Sequence, residues 1–145
     1  MQEILKRLVA DLHKDYFKPN GFAKERQRFR RTVDSVMQEV EFQSSQWNSA
    51  NSSIAFYVNI SAGFTDIPMR DGKTELTGTG RLSGLVSKAP GQFDITPANY
   101  ESIRSQLLEF LPQALSALPK HYDDIRTRAK AGLRTPIPLP ETWRA

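Results

Sequence analysis

The chain of 145 residues contains no cysteine. That excludes disulfides, thiolate nucleophiles and cysteine-ligated metals, and it suits a reducing, cytoplasmic setting. Histidines number two, His13 and His121. Neither belongs to an HExxH or Glu-x-x-His pattern, so no metal centre is expected. A G-x-S-x-G elbow is missing as well. Gly72-Lys73-Thr74 resembles the end of a phosphate-binding loop, but the position that must carry the earlier glycine is Ile67. The acidic residues Asp123-Asp124, and Asp11 with Asp15, have the spacing of helix surfaces. No catalytic residue and no cofactor are therefore expected. There is no run of about 18 apolar residues to cross a membrane. The opening MQEILKRLVADL is amphipathic and of mixed charge, unlike the apolar centre of a signal peptide.

What is present is the composition of an ordinary globular domain, 39% hydrophobic and 25% charged. A length of 145 residues suits one core. The formal net charge of +4 is modest; it permits an anionic partner and serves solubility equally well.

Residues 36–63 carry the clearest pattern. Val36, Val40, Phe42, Ile54, Phe56, Val58 and Ile60 are apolar, while Glu39, Glu41, Gln43, Tyr57, Asn59 and Ser61 alternate with them. Side chains alternate across a strand, so one sheet face is core and the other is not. A hairpin of residues 26–33 and 36–43 around Asp34-Ser35 would set Val33 against Val36, Phe29 against Val40, Arg30 against Glu39 and Arg28 against Glu41. Apolar pairs then coincide, and so do opposite charges. A third strand is expected over 53–62 and a long connection over 64–80, with room for a short strand near Leu76. A fourth strand is expected over 81–86, and a short edge segment at 93–95.

Helical spacing marks both ends. Leu5, Leu8, Leu12 and Tyr16, widened by Ile4 and Val9, predict a helix over 3–17 that Pro19-Asn20-Gly21 terminates. Thr96-Pro97 is a helix start, followed by Tyr100, Ile103, Leu107, Leu111, Ala114 and Leu118 on one face. Pro112 is expected to kink or split it. Pro119 opens another helix, with Tyr122, Ile125, Ala129 and Leu133 in register. The expected fold is α+β: a four- to five-stranded, mainly antiparallel sheet with helices packed on one face. It fills residues 1–134, followed by an extended, proline-rich tail at 135–145.

Gly21-Phe22, Phe29-Arg30, the string Phe42-Gln43-Ser44-Ser45-Gln46-Trp47-Asn48-Ser49, Phe56 to Asn59, and Arg81-Leu82 occur in an order similar to that of a bacterial family catalogued as domain of unknown function 4304. The resemblance covers residues 5–118, and the FQxSxWNS string is its specific part. Aromatic residues often follow the RL strand in that family; here SKAPGQFDI supplies only Phe93. The resemblance implies no established activity. Some relatives of such small α+β domains look like immunity proteins encoded beside toxins, which makes toxin neutralisation the leading expectation.

Candidate binding residues follow from the non-core sheet face: Arg30, Gln43, Tyr57, Asn59 and Arg81 as a polar groove, with Trp47 and Asn48 on the loop beside it. An exposed, self-satisfied sheet face and a tryptophan folded back over the sheet are the plain alternatives. Lys24, Arg26 and Arg28, recurring every second residue with Arg30 and flanked by Arg31, suggest a basic stripe for nucleic acid. Pairing of that stripe with Glu39 and Glu41 is the competing explanation. The leading expectation is a non-catalytic cytoplasmic protein-binding domain with a protein partner, a toxin. A nucleic-acid-binding module comes second, and a small-ligand binder or an enzyme third.

Overall fold

The computed structural model describes residues 3–45, 53–67, 76–132 and 135–137. The first helix, α1 (Glu3–Leu12), continues into a π-helical turn, His13–Phe17. The wider turn rotates the inward position by one residue: Phe17 is fully buried where regular spacing pointed to Tyr16, which is half-buried. Phe17 stacks on Phe29 with ring centroids 3.8 Å apart. The chain then stops in a Schellman arrangement. Phe22 N–H donates to Phe17 C=O and Gly21 N–H to Lys18 C=O, with Gly21 at φ +82° and the Phe17 and Phe22 rings 5.2 Å apart.

Among the described residues seven strands follow: β1 (Ala23–Glu25), β2 (Arg28–Val33), β3 (Val36–Ser44), β4 (Ile54–Phe64), β5 (Leu76–Arg81), β6 (Phe93–Ile95) and β7 (Thr135–Pro136). They form one sheet in the order β1-β2-β3-β4-β5-β7, with β6 also on β4. Every pairing is antiparallel except β5 with β7. The α+β class and the mainly antiparallel sheet are as the pattern predicts; the extra strands are two- and three-residue pieces at its margins. The hairpin register is realised pair for pair: Val33↔Val36, Phe29↔Val40, Arg30↔Glu39 and Arg28↔Glu41. Asp34 and Ser35 both take positive φ, +49° and +69°, as a type I′ turn requires.

The helices α3 (Tyr100–Ala117) and α4 (Tyr122–Lys130) join α1 on the core side. Leu5, Leu12, Leu107, Leu111 and Ile125 meet Val40, Phe42, Phe56 and Ile60 in one cluster. Thr96 and Asn99 bind each other reciprocally ahead of α3: Asn99 N–H donates to Thr96 Oγ1 and Thr96 N–H to Asn99 Oδ1, at 3.2 and 2.7 Å. Tyr100 donates to Asp11, Arg7 sits 4.3 Å over the Tyr100 ring, and Arg104 pairs with Asp15, tying α3 to α1 and the turn after it.

Four expectations need correction. The strand opening the hairpin does not start at residue 26; Arg26 and Gln27 form the β1–β2 turn, with Arg26 at φ +57°. The strand after the long connection is Leu76–Arg81, and the expected strand residues that follow form a helical turn, α2 (Leu82–Leu85). Sheet pairing ends at Arg81, opposite Asn59, and the chain folds over so that β6 can take the other half of the β4 edge, at Ile54–Phe56. The spaced glycines that weaken a strand signal are needed within β5. A Cβ on Gly78 would lie 2.8 Å from Ile125 Cδ1, and one on Gly80 1.5 Å from the Ile137 carbonyl oxygen. Thirdly, Pro112 does not split α3, which runs on to Ala117; burial of Leu111, Ala114 and Leu115 on both sides offsets the lost backbone bond. Lastly, α3 begins at Tyr100 with Asn99 as its N-cap, rather than at Thr96-Pro97. The start of the tail is extended and joins the sheet edge: Thr135–Pro136 pairs with β5, Ile137 N–H donates to Thr79 C=O at 2.6 Å, and Ile137 is buried. Leu133 and residues 138–145 lie outside the described residues.

Two measurements check this packing. Gly80→Ala should cost about 1–3 kcal/mol in urea unfolding and loosen the Ile137 pairing, because the added methyl meets backbone rather than a flexible side-chain end; an unchanged midpoint would contradict the crossing. Burial, followed by the hydrogen bond to Asp11, raises the Tyr100 phenol above its ordinary value, and burial also raises Tyr16 and Tyr122. A phenol whose folded value is raised contributes stability that is complete below the unfolded value of about 10 and is lost as pH climbs toward the folded one. Stability should thus fall above about pH 10. Tyr100→Phe should cost about 1 kcal/mol at neutral pH and make that alkaline decline shallower.

Candidate functional site

Among the described residues, the helices leave the opposite sheet face uncovered, and alternation sends a continuous polar set onto it. From β2 come Arg28 and Arg30, from β3 Glu39, Glu41 and Gln43, from β4 Tyr57, Asn59 and Ser61, and from β5 Thr79 and Arg81. Their side chains form a ladder across four strands. Arg30 Nη2 lies 3.2 Å from Glu39 Oε2, and Arg28 Nε lies 3.7 Å from Glu39 Oε1 and 3.0 Å from Glu41 Oε2. Asn59 Nδ2 donates to Glu41 Oε1 and Gln43 Oε1, at 3.1 and 2.9 Å. Arg81 donates to Asn59 Oδ1 and, at 3.4 Å, to Gln43 Oε1, while its guanidinium sits 4.1 Å over the Tyr57 ring. Ser61 donates to Thr79 at 3.0 Å.

Glu39 is the most enclosed member, its side chain 6% exposed between two arginines that are each half-exposed or more. A carboxylate taken that far from water needs those partners. The hydrogen bond to Glu41 holds the Arg28 guanidinium above its ordinary value, with the charges of Glu41, Glu39 and Glu25 adding to it. Each exposed pair is worth only about 0.2–1 kcal/mol, so the consequence is geometric: donors and acceptors on this face are fixed before anything arrives.

Arg30, Gln43, Tyr57, Asn59 and Arg81 thus lie together on one surface. Trp47 and Asn48 lie outside the described residues. The expected basic stripe is not a stripe. Register puts Lys24 opposite Phe29, on the other side of the sheet from Arg28, and Arg26 is in a turn. Arg31 belongs to the core-side rim, donating to Gln38 at 2.8 Å and to Asn20 C=O at 2.9 Å, over the Phe22 ring. Gln38, buried there, donates in turn to the Tyr122 hydroxyl at 2.7 Å. A turn at Arg26-Gln27, with neither glycine nor asparagine to mark it, is what the every-second-residue pattern conceals. Sequence reasoning also missed the Ser61–Thr79 pair, which lies in one register with Asn59↔Arg81. It missed as well a groove beside Lys24 and Arg26 that Lys6 and Ser44 help to line.

Among the described residues, no three His, Cys, Asp or Glu side chains group as a metal site, and no helix is long and apolar enough to cross a membrane. A family model described as a domain of unknown function, DUF4304, matches residues 13–120. No curated protein and no solved structure matches the chain.

The ladder makes a stability prediction. Glu39→Ala should cost about 1–3 kcal/mol in denaturant unfolding, since it strips two guanidinium partners from an enclosed site. Arg30→Ala should cost about 0.5 kcal/mol, discounted for its exposure. Equal losses would show that Glu39 is not the centre of the network.

Proposed function

This chain belongs to the DUF4304 family, and we propose that it is a non-catalytic, cytoplasmic protein-binding domain that neutralises a toxin by covering it with the open sheet face. The observation that supports this most is the prebuilt ladder from Arg30 to Arg81. Side chains already held by neighbours lose little freedom on docking, and that loss is a main cost of association. Arginine and tyrosine are also the residue types that most often anchor interfaces, and Arg81 stacked on Tyr57 joins the two. Trp47 and Asn48 belong to the same reading through the sequence.

The charge pattern narrows the partner. Three arginines and two glutamates alternate over the ladder, so a surface of mixed polarity fits it. A nuclease toxin, whose basic groove demands an acidic inhibitor, fits poorly.

The test uses a secreted toxin encoded beside this gene. Arg81→Ala and Tyr57→Ala should each weaken the complex by about 2 kcal/mol or more while leaving the melting temperature within a few degrees of wild type. Undiminished binding by both variants, or the lack of any such toxin gene, would count against the reading.

A further inference from the structure

A second feature lies at the margin of the sheet, where β2 ends before β3 does. The last rung between them is Phe42 N–H to Gln27 C=O at 2.9 Å, yet β3 continues to Ser44 along β4. Backbone groups of alternate residues point to the same side of a strand. Ser45 N–H donates to Ala55 C=O on the β4 side, so Ser44 N–H points the other way, past the end of β2. The space it faces is a groove of about 760 Å³ between α1, the β1–β2 turn and the end of β3. That lies within the roughly 300–1,000 Å³ typical of small-ligand sites. Val9 and Phe42, both buried in the core, close its floor.

The walls carry an unbalanced charge. Lys6, Lys24, Arg26 and Arg28 line the groove against Glu25 and Glu41. Glu41 is occupied by Arg28 and Asn59, the charge of Glu25 acts on Arg28, and Lys6 pairs with Glu3 at 3.5 Å. Among the described residues, Lys24 and Arg26 are left with no hydrogen bond or ion pair. Arg26 also holds φ +57° as the first residue of its two-residue turn, a backbone conformation that glycine or asparagine adopts at lower cost. Stability alone does not select arginine there. A cation on a strained turn, a second free cation two residues away and an oriented backbone donor opposite form a consistent set.

We propose that this groove binds a small organic oxyanion, its phosphate or carboxylate head taken by Lys24, Arg26 and the Ser44 N–H and its apolar body lying against the floor. The groove adjoins the sheet-face ladder, with which it shares Arg28, Glu41 and Gln43, but it opens at the sheet margin beside α1, and Lys24 and Arg26, unpaired among the described residues, are no part of the ladder. A nucleic-acid strand is the less suitable occupant, because the basic residues converge on one enclosed volume rather than following a line.

The probes are phenyl phosphate and benzoate, followed by amide chemical shifts of the full chain. Either should give saturable shifts at Lys24–Arg28 and Gln43–Ser44. Inorganic phosphate, lacking the apolar body, should bind several-fold more weakly, and benzyl alcohol should give no saturable shift. Arg26→Gly is the discriminating variant. It should weaken the organic anion about tenfold, the size of one charge-assisted hydrogen bond, and yet raise the melting temperature by relieving the turn. Arg81→Ala, on the other surface, should leave the probe affinity unchanged. Four results would overturn the proposal: no saturable shift with either probe, inorganic phosphate binding as tightly as phenyl phosphate, undiminished binding by Arg26→Gly, or tighter binding of a single-stranded oligonucleotide with shifts spreading beyond the groove.

Discussion

The structure depends on the register of the β2–β3 hairpin. Side chains in a strand repeat every two residues, so the pairing of Arg30 with Glu39 and of Phe29 with Val40 are one fact. A slip of one residue would bring Arg30 opposite Gln38 and part every like pair at once. The turn at Asp34-Ser35 fixes the count, since two left-handed residues join the strands with the twist that the sheet requires. From that register the core face passes through Val40↔Ile60 and Phe42↔Val58 to β4, and the open face passes through Glu41↔Asn59 and Asn59↔Arg81 to β5. Core and candidate interface are the two sides of one alternation.

The division of labour between the faces has an energetic logic. Helix and sheet surfaces meet on the apolar side, where six fully buried phenylalanines, among them Phe17, Phe29 and Phe42, supply large contact areas. The polar side contributes little net stability per contact, but it holds its groups in fixed positions, and Glu39 is drawn deep enough to need both neighbouring arginines.

Much of this was legible in the sequence because it rests on short-range periodicity. The even-numbered apolar positions from Val36 to Ile60 and the hairpin pairs follow from local pattern. What was not legible depends on contacts distant in sequence or on backbone states that the residue type disguises. Gly78 and Gly80 read as part of a long connection with a short strand near Leu76; they are strand positions where Ile125 and the Ile137 backbone come too close for a side chain. Lys24 to Arg30 read as one stripe because Arg26, an arginine in a conformation usual for glycine, hides a turn. Pro112 reads as a kink or a split, and α3 runs unsplit through it to Ala117. The site residues divide in the same way: Arg30, Gln43, Tyr57, Asn59 and Arg81 converge because alternation places them, and the groove at Lys24 and Arg26 arises only where β3 outruns its neighbour.

The most direct test of the account is a crosslink, which the cysteine-free chain makes clean. Since Phe42 N–H bonds Gln27 C=O, rungs alternate so that Arg30 and Glu39 form a non-hydrogen-bonded pair, whose Cβ atoms stand within disulfide reach. Arg30→Cys combined with Glu39→Cys should oxidise readily in the native protein, whereas Arg30→Cys combined with Gln38→Cys, on opposite faces, should not. Crosslinking of the second pair in preference to the first would mean that the register, and with it the arrangement of both faces, is wrong.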